Sequence, residues 1–132
     1  MIVDTSAVVS IALGEPGADR LTRLLLDDPF PKLSAATLVE INAVLMRRLR
    51  PEDQRRVEQL MGLWGVEVVA FDAEQARMAT EAYRDFGRGS GHPANLNFGD
   101  CFSYALARIS GEPLLYGGED FARTDISGPA TH

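Results

Sequence analysis

The chain switches repeatedly between two hydrophobic patterns, one typical of strands and one typical of helices. Four short apolar or β-branched runs predict strands: residues 1–3 (MIV), 32–35 (KLSA), 66–71 (VEVVAF) and 113–116 (PLLY). In the segments between them, leucine and isoleucine recur at helical spacing, as at Leu38, Ile41 and Leu45. This alternation predicts an α/β fold, with a mostly parallel sheet covered by helices on both faces.

Capping residues set the expected starts of several helices. Asp72, followed three residues later by Gln75, is a capping pattern. Pro51 suits the first turn of the helix that follows it. Thr37 is the expected N-cap of the helix that carries Glu40, because these two residues also have capping-box spacing.

Length and composition indicate a single globular domain over residues 1–132. The chain is 45% apolar and 24% charged, a balance typical of folded domains. No apolar run approaches the ~20 residues needed to cross a bilayer. No basic segment precedes the short apolar start, so a signal peptide is not expected. Cys101 is the only cysteine, which excludes an internal disulfide and fits the reducing cytoplasm.

Five acidic residues fall where the predicted topology collects ligands. In a parallel α/β sheet, ligands bind beyond the carboxyl ends of the strands. Asp4 follows the first strand, and Glu119 and Asp120 follow the last. Glu40 and Asp100 are expected in the first turns of helices that begin at the same edge. Each acid also suits a helix N-terminus, where a carboxylate is worth roughly 0.3–1 kcal/mol, but capping alone does not explain why all share one edge.

Carboxylates collected at one edge predict a bound cation. Like charges repel, and burial makes ionised groups still less favourable, so a fold that gathers them needs a positive partner. Oxygen ligands without a Cys or His cluster suit Mg²⁺ or Mn²⁺ rather than Zn²⁺. Such ions act on phosphate groups and activate water. The acids therefore indicate phosphoryl or phosphodiester chemistry, although the net charge of −6 argues against bulk attraction to nucleic acid.

Four blocks of sequence resemble the PIN-domain ribonucleases, and most of all the VapC toxins of bacterial toxin–antitoxin pairs. The blocks are MIVDTSAVV, ATLVEINAVL, NFGDCFSYALA and EPLLYGGEDFARTDI, in the expected order from Met1 to about Ile126. The resemblance implies a PIN-like three-layer α/β/α sandwich with a mostly parallel central sheet. It also implies a Mg²⁺-dependent endoribonuclease, with Mn²⁺ as a substitute ion.

The same resemblance implies roles for individual residues. The expected catalytic set consists of carboxylates that match the family's acids: Asp4, Glu40, Asp100, Asp120 and Glu119. Of these, Asp4 and Asp100 are the expected metal ligands. The last two are alternatives for a fourth acid after the last strand, and Asp120 is preferred. Thr5 and Ser6 match the small polar residues that hold the first acid.

The resemblance also implies partners. These are an RNA substrate, a second copy of the chain in a homodimer, and a cognate VapB-type antitoxin whose segment covers the acidic cleft. The antitoxin would carry DNA recognition, so DNA is expected to be met only indirectly. Four leucines are too many for one buried stripe and predict an exposed patch for a partner: Leu21, Leu24, Leu25 and Leu26.

Two other functions remain open from the residues alone. A phosphoacceptor or phosphatase-like α/β enzyme would use Asp4 as a nucleophile with a lysine nearby, but Lys32, the sole lysine, precedes the second strand. A non-catalytic protein-binding module would use the acids only as helix caps. Thermal melting with and without Mn²⁺ separates the second alternative from an ion-binding enzyme.

Several further groups have both a structural and a functional interpretation. An arginine-rich stretch either faces solvent or contacts phosphate: Arg47, Arg48, Arg50, Arg55 and Arg56. Arg84 and Arg88, beside a glycine-rich loop, are candidate RNA contacts. Cys101 is expected to be buried and inert. His92 and His132, the only histidines, do not suggest a histidine-based nucleophile.

Overall fold

The structure, a computed structural model that describes residues 1–129, is built on a four-stranded sheet. Its strands are β1 (Ile2–Val3), β2 (Lys32–Ser34), β3 (Glu67–Val69) and β4 (Leu114–Leu115). The strand order is β3-β2-β1-β4, and each neighbouring pair is parallel. The predicted parallel sheet is therefore confirmed, with β1 between β2 and β4. His132 lies outside the described residues.

Six α-helices within the described residues connect and cover these strands. They are α1 (Thr5–Ala12), α2 (Ala18–Asp27), α3 (Ala35–Arg48), α4 (Pro51–Leu63), α5 (Ala73–Phe86) and α6 (Asp100–Ser110), and a 3₁₀ helix (Asp120–Arg123) follows β4. Parallel neighbours need such crossover connections, which explains the alternation in the sequence. In residues 1–129, no helix has both the length and the hydropathy to cross a membrane.

The helices form two layers on opposite faces of the sheet. Alternate strand residues point to opposite faces, so Val3 and Leu33 belong to one core while Ile2 and Leu114 belong to the other. The first core also receives buried side chains from the first four helices: Val8, Leu21, Leu25, Ile41, Leu45, Val57 and Met61. The second receives those of the last two: Ala79, Ala82, Cys101, Tyr104 and Leu106. The predicted α/β/α sandwich is confirmed.

Helix α3 begins earlier than its sequence predicts. Ser34, the last residue of β2, is the N-cap, and its side chain accepts a hydrogen bond from the Ala36 N–H at 3.2 Å. The prediction of Thr37 as the cap is wrong, because Thr37 is fully buried with its hydroxyl 3.3 Å from that of Ser103. Glu40 consequently lies in the second turn of α3 and not in the first.

Two other predicted helix starts are confirmed. Asp72 caps α5, and its Oδ1 accepts a hydrogen bond from the Gln75 N–H at 2.9 Å. Pro51 is the first residue of α4, where its missing N–H has no intrahelical partner to lose.

Helix α2 leaves less of its leucine surface exposed than the sequence suggested. Leu21 and Leu25 are buried, Leu24 is half-buried, and Leu26 is 62% exposed. The predicted leucine patch is therefore reduced to one fully exposed side chain, because the helical stripe of the other three faces the first core.

Candidate active site

Asp4 lies at the carboxyl end of β1, which is a central strand between β2 and β4. Its main-chain N–H donates to the Leu115 carbonyl at 3.0 Å, which fixes it beside the end of β4. The Asp4 side chain is fully buried. Ser6 holds one of its oxygens, because the Ser6 N–H and Oγ donate to Asp4 Oδ2 at 3.0 and 2.7 Å. Asp4 is thus both the N-cap of α1 and a fixed, buried carboxylate.

The other oxygen of Asp4, Oδ1, is buried without a hydrogen-bond partner among the described residues. Burial raises the pKa of Asp4 above its ordinary value of 3.8, while the hydroxyls of Ser103 and Ser6 and nearby main-chain amides lower it. Buried polar atoms normally have partners, and leaving one unpaired costs about 1–3 kcal/mol. A cation bound at Oδ1 would remove this cost.

Glu40 reaches the same edge from α3. The Thr5 hydroxyl donates to Glu40 Oε1 at 2.5 Å, so the Thr5 side chain holds Glu40 and not, as the sequence suggested, Asp4. Burial raises the pKa of Glu40 above 4.5, the Thr5 hydrogen bond lowers it, and the charge of Asp4 raises it further. The carboxylate packs against Gly99, where an added Cβ would be only 1.6 Å from Oε2. Gly99 therefore leaves the space that Glu40 occupies.

Asp100 begins α6 and is within electrostatic reach of Asp4. Its Oδ2 accepts a hydrogen bond from the Asn97 N–H at 3.0 Å, and its own N–H donates to Asn97 Oδ1 at 2.8 Å. Burial, and after it the charge of Asp4, raises the pKa of Asp100 to about 8. Asp120 raises this pKa further by a smaller amount, whereas the hydrogen bond from the Asn97 amide lowers it. The carboxyl group is thus held in place but is poorly compensated.

Asp120, the first residue of the 3₁₀ helix, is the acid after β4 whose charge acts on Asp100. Glu119 precedes it, is exposed, and is not among the main groups that shift the pKa of Asp100. Electrostatic effects on the pKa values therefore link Asp4 with Glu40, Asp4 with Asp100, and Asp100 with Asp120, and Glu119 is not among the main contributors.

The acids are linked in pairs and do not form a ready-made cage. Among residues 1–129, no three His, Cys, Asp or Glu side chains form a group that could hold a metal ion by themselves. Mg²⁺, however, usually takes only one or two protein carboxylates and keeps several waters. Asp4 and Asp100 fit that ligand pattern, because both are carboxylates with raised pKa values and Asp4 has a free oxygen. Glu40 and Asp120 suit contacts through water.

Comparison with known proteins identifies the family of this fold. Residues 1–127 match the PIN domain. The chain belongs to the PIN-domain family. This PIN-domain chain is 56% identical over 126 residues to ribonuclease VapC42 of Mycobacterium tuberculosis, and the alignment covers 96% of each chain. The predicted VapC-type resemblance is confirmed, and with it the enzyme class, since the family fold is that of a nuclease.

Two solved structures share the PIN-domain architecture. The crystal structure of Mycobacterium tuberculosis VapC20, a sarcin-ricin loop cleaving toxin, has a TM-score of 0.76 at 21% identity and covers 98% of both chains. A toxin–antitoxin complex from Klebsiella pneumoniae has a TM-score of 0.65 at 17% identity and covers 92% of this chain and 89% of the other. At these identities the two structures support the fold.

The arginine-rich junction of this PIN domain lies away from the acids. Arg47 and Arg48 end α3, which places them about 10–12 Å along the helix axis from Glu40 at 1.5 Å per residue. Arg50 pairs with Asp53 at 3.5 Å and is strongly exposed. The solvent-facing interpretation of this stretch is therefore favoured over contact with phosphate at the acids.

Other sequence candidates have structural roles. Arg84 pairs with Asp85, with Nε 3.0 Å from Oδ1. His92 Nδ1 accepts a main-chain N–H of its own loop at 3.1 Å. Cys101 is buried, as predicted, and burial together with the charge of Asp100 raises the pKa of its thiol to about 12.

Two residues of the site were not found from the sequence. Ser103 is fully buried, and its hydroxyl lowers the pKa of Asp4. The sequence did contain an indication of Ser103, because it is a polar residue in an otherwise apolar helix and lies three residues after Asp100, on the same helical face. Gly99 had no readable signal, because its role depends on Glu40 arriving from a different helix.

Proposed function

We propose that this chain is the toxin of a VapBC-type pair, a Mg²⁺-dependent endoribonuclease that hydrolyses RNA phosphodiester bonds and accepts Mn²⁺ as a substitute. The observation that carries the proposal is Asp4, a buried carboxylate with one oxygen unpartnered, beside Asp100 with its pKa raised to about 8. Such a pair favours binding of a divalent cation. The RNA substrate is supported by the names of the relatives, which are ribonucleases.

Each acid has a distinct part in this proposal. Asp4 and Asp100 would hold the ion, and Ser6 and Asn97 keep the two carboxylates oriented for it. A bound Mg²⁺ would supply charge neutralisation at the phosphate and make the attacking water more acidic. Glu40 accepts hydrogen bonds from water at the scissile phosphate, and burial, which raises the pKa of Glu40, favours uptake of a proton from that water.

Asp120, on the exposed side, orients further water. Water attacks phosphorus and gives a proton to Glu40, and the bond between phosphorus and the 3′ oxygen breaks. The released 3′ oxygen takes a proton from solvent water, so the fragments carry a 5′-phosphate and a 3′-hydroxyl.

The phosphoacceptor alternative loses support from the position of Lys32. This residue begins β2, at the sheet edge opposite Asp4, and its Nζ is 2.7 Å from Glu112. A lysine held there is not available to a phosphate at the carboxyl ends of the strands. The binding-module alternative is opposed by the cost of burying several uncompensated carboxylates, which helix capping alone does not require.

The partners proposed for the chain follow from its relatives. We expect a cognate VapB-type antitoxin whose basic side chain occupies the acidic edge, because an Arg or Lys would compensate the same carboxylates that attract the ion. A toxin–antitoxin complex shares the fold. We further propose a homodimer that acts on RNA in the cytoplasm and meets DNA only through the antitoxin.

Cleavage of RNA by metal-free protein tests the activity. Total cellular RNA is incubated with the protein in EDTA, then with added Mg²⁺ or Mn²⁺, and the new 5′ ends are sequenced. Asp4→Asn and Asp100→Asn should each reduce cleavage at least ~100-fold, since each removes a transition-state interaction. Glu81→Gln, an exposed acid on α5, is the matched control and should cleave normally.

Thermal melting tests the ion site without relying on catalysis. Mn²⁺ should raise the melting midpoint of the parental protein as its concentration passes the dissociation constant, and should not raise that of Asp4→Asn. Parental-rate cleavage by Asp100→Asn would reject the site assignment. An absence of any Mn²⁺ effect on the parental midpoint would reject the ion site itself.

A further inference from the structure

A cavity is lined in part by the turn that follows β4, and it lies outside the candidate active site. Its volume is about 410 Å³, and it lies between the end of β4, α1 and the start of α2. Its walls include Ser10, Gly17, Arg20, Tyr116, Gly117 and Gly118. Among the described residues that line it, Arg20 is the only charged one. The acids of the candidate active site are not part of its lining.

Hydrogen bonds through one hydroxyl join this cavity to the acid site. The Gly117 N–H donates to Ser6 Oγ at 3.0 Å, and Ser6 Oγ donates to Asp4 Oδ2 at 2.7 Å. A wall of the cavity is therefore two hydrogen bonds away from the proposed metal ligand. If one phosphate of an RNA strand lies at Asp4, the next phosphates along the same strand would lie at or near this cavity.

Gly117 keeps the wall between the two sites thin. An added Cβ at this position would be 2.9 Å from Ser10 Oγ and 3.2 Å from the Ser6 carbonyl oxygen. The next residue, Gly118, has a φ of 76°, which favours glycine. The turn consequently presents main chain, and the Ser10 hydroxyl remains as a neutral donor in the cavity.

Arg20 places a positive charge in the wall of the cavity. The acidic edge and the net charge of −6 repel phosphate, so binding requires a local cation. Arg20 is exposed, and it forms no ion pair with a described residue, whereas Arg50, Arg84 and Arg108 do. The planar guanidinium group matches phosphate oxygens with two parallel hydrogen bonds.

We propose that this cavity, here named the Arg20 subsite, binds a backbone phosphate of the RNA strand next to the scissile bond. The inference rests on the proposed function, because it takes RNA as the substrate. Arg20 provides the charge and the Ser10 hydroxyl a neutral hydrogen bond. The Arg20 subsite therefore fixes the register of the strand over Asp4 and offsets the repulsion from the acids.

RNA binding by two matched arginine variants tests the subsite. Fluorescent single-stranded RNA is titrated with metal-free protein in EDTA, and anisotropy is measured at several salt concentrations. Arg20→Ala should weaken binding about tenfold, as expected for one lost charge-assisted contact, and reduce the slope of log affinity against log salt by about 0.7. Arg23→Ala removes the same charge from an exposed position of α2 outside the cavity and should weaken binding less than about twofold.

Neutral phosphate replacements locate the contact. In a series of RNA strands, one phosphate at a time is replaced by an uncharged methylphosphonate. At one position beside the scissile bond, the replacement should weaken binding to the parental protein and to Arg23→Ala but have no further effect on Arg20→Ala, because the two changes remove the same contact.

Three results would overturn the Arg20 subsite: equal losses in the two arginine variants, additive effects at every phosphate, or no RNA binding by the parental protein. The proposed function has a separate readout. RNA binding that depends on Arg20, together with no cleavage after Mg²⁺ or Mn²⁺ is added, would support the subsite and reject the ribonuclease.

Discussion

The Asp100→Asn substitution removes one charge from the sheet edge and keeps the size of the side chain. The Asn97 N–H, 3.0 Å from Asp100 Oδ2, would still meet a carbonyl oxygen. The main-chain N–H of residue 100 would still donate to Asn97 Oδ1, at 2.8 Å in the parental structure. The variant therefore isolates the effect of the buried charge on the stability of the metal-free protein.

The magnitude follows from the two pKa values. The pKa of Asp100 is raised from 3.8 to about 8 in the folded protein. A tenfold change in proton affinity is worth about 1.4 kcal/mol, which sets a ceiling of roughly 5–6 kcal/mol on the cost of the ionised group. Because water can approach the edge and the site can relax, we expect Asp100→Asn to raise the free energy of unfolding by about 2–4 kcal/mol above pH 8.

The sign of the pH dependence is also fixed. Between pH 4 and 8 the folded state keeps a proton on Asp100 that the unfolded state has released. The folded state is therefore favoured at low pH, and this contribution is lost as the pH rises through about 8. The raised pKa values of Asp4 and Glu40 act in the same direction.

Urea unfolding in EDTA at pH 5.5 and 8.5 measures this effect. The parental protein should be less stable at the higher pH, and the gain from Asp100→Asn should be larger there. Glu81→Gln controls for the change in net charge and should alter stability by less than about 0.5 kcal/mol at either pH. If Asp100→Asn lowered stability at pH 8.5, or gave the same gain at both pH values, the argument from an uncompensated buried charge would be refuted.

Three further outcomes are expected. Gly99→Ala should displace Glu40, since the new Cβ would lie 1.6 Å from Oε2. RNA cleavage should fall at least ~10-fold, while circular dichroism shows a retained fold. The control Gly62→Ala, in open space on α4, should leave cleavage unchanged. Ser6→Ala should lower the free energy of unfolding by about 1–2 kcal/mol in urea titrations, because Asp4 Oδ2 loses its 2.7 Å hydrogen bond. Calorimetric titration with Mn²⁺ should give weaker binding at pH 5.5 than at pH 8.5, because protons then compete with the ion for the acids; pH-independent affinity would contradict this.

The fold could be predicted from the sequence because the patterns that indicate it are local. Each strand is a short apolar run, each crossover helix carries its own stripe, and parallel pairing follows from their alternation. Asp4 and Asp100 were readable for the same reason, since one follows a strand and the other begins a helix. The position of a carboxylate relative to its own element therefore indicated the edge at which it lies.

The remaining parts of the site depend on contacts between distant elements. Thr37 had the spacing of a cap, but Ser34 ends its strand at the right place to cap α3 first. The Thr5 side chain holds Glu40, 35 residues away, instead of its neighbour. The choice between Glu119 and Asp120 likewise depends on how the turn after β4 is directed, which adjacent sequence letters do not specify.

The two oxygens of Asp4 have different surroundings, and this difference predicts which inactivating mutations leave a stable protein. One oxygen anchors the beginning of α1 and the other has no hydrogen-bond partner among the described residues, so Asp4→Ala would remove an N-cap worth ~1 kcal/mol along with the proposed metal ligand. Cells that survive toxin expression through Asp4→Ala should accumulate less of the protein than cells that survive through Asp100→Asn, because only the first change removes a helix cap. Survivors with Asp100→Asn should instead accumulate large amounts of an inactive and stable protein.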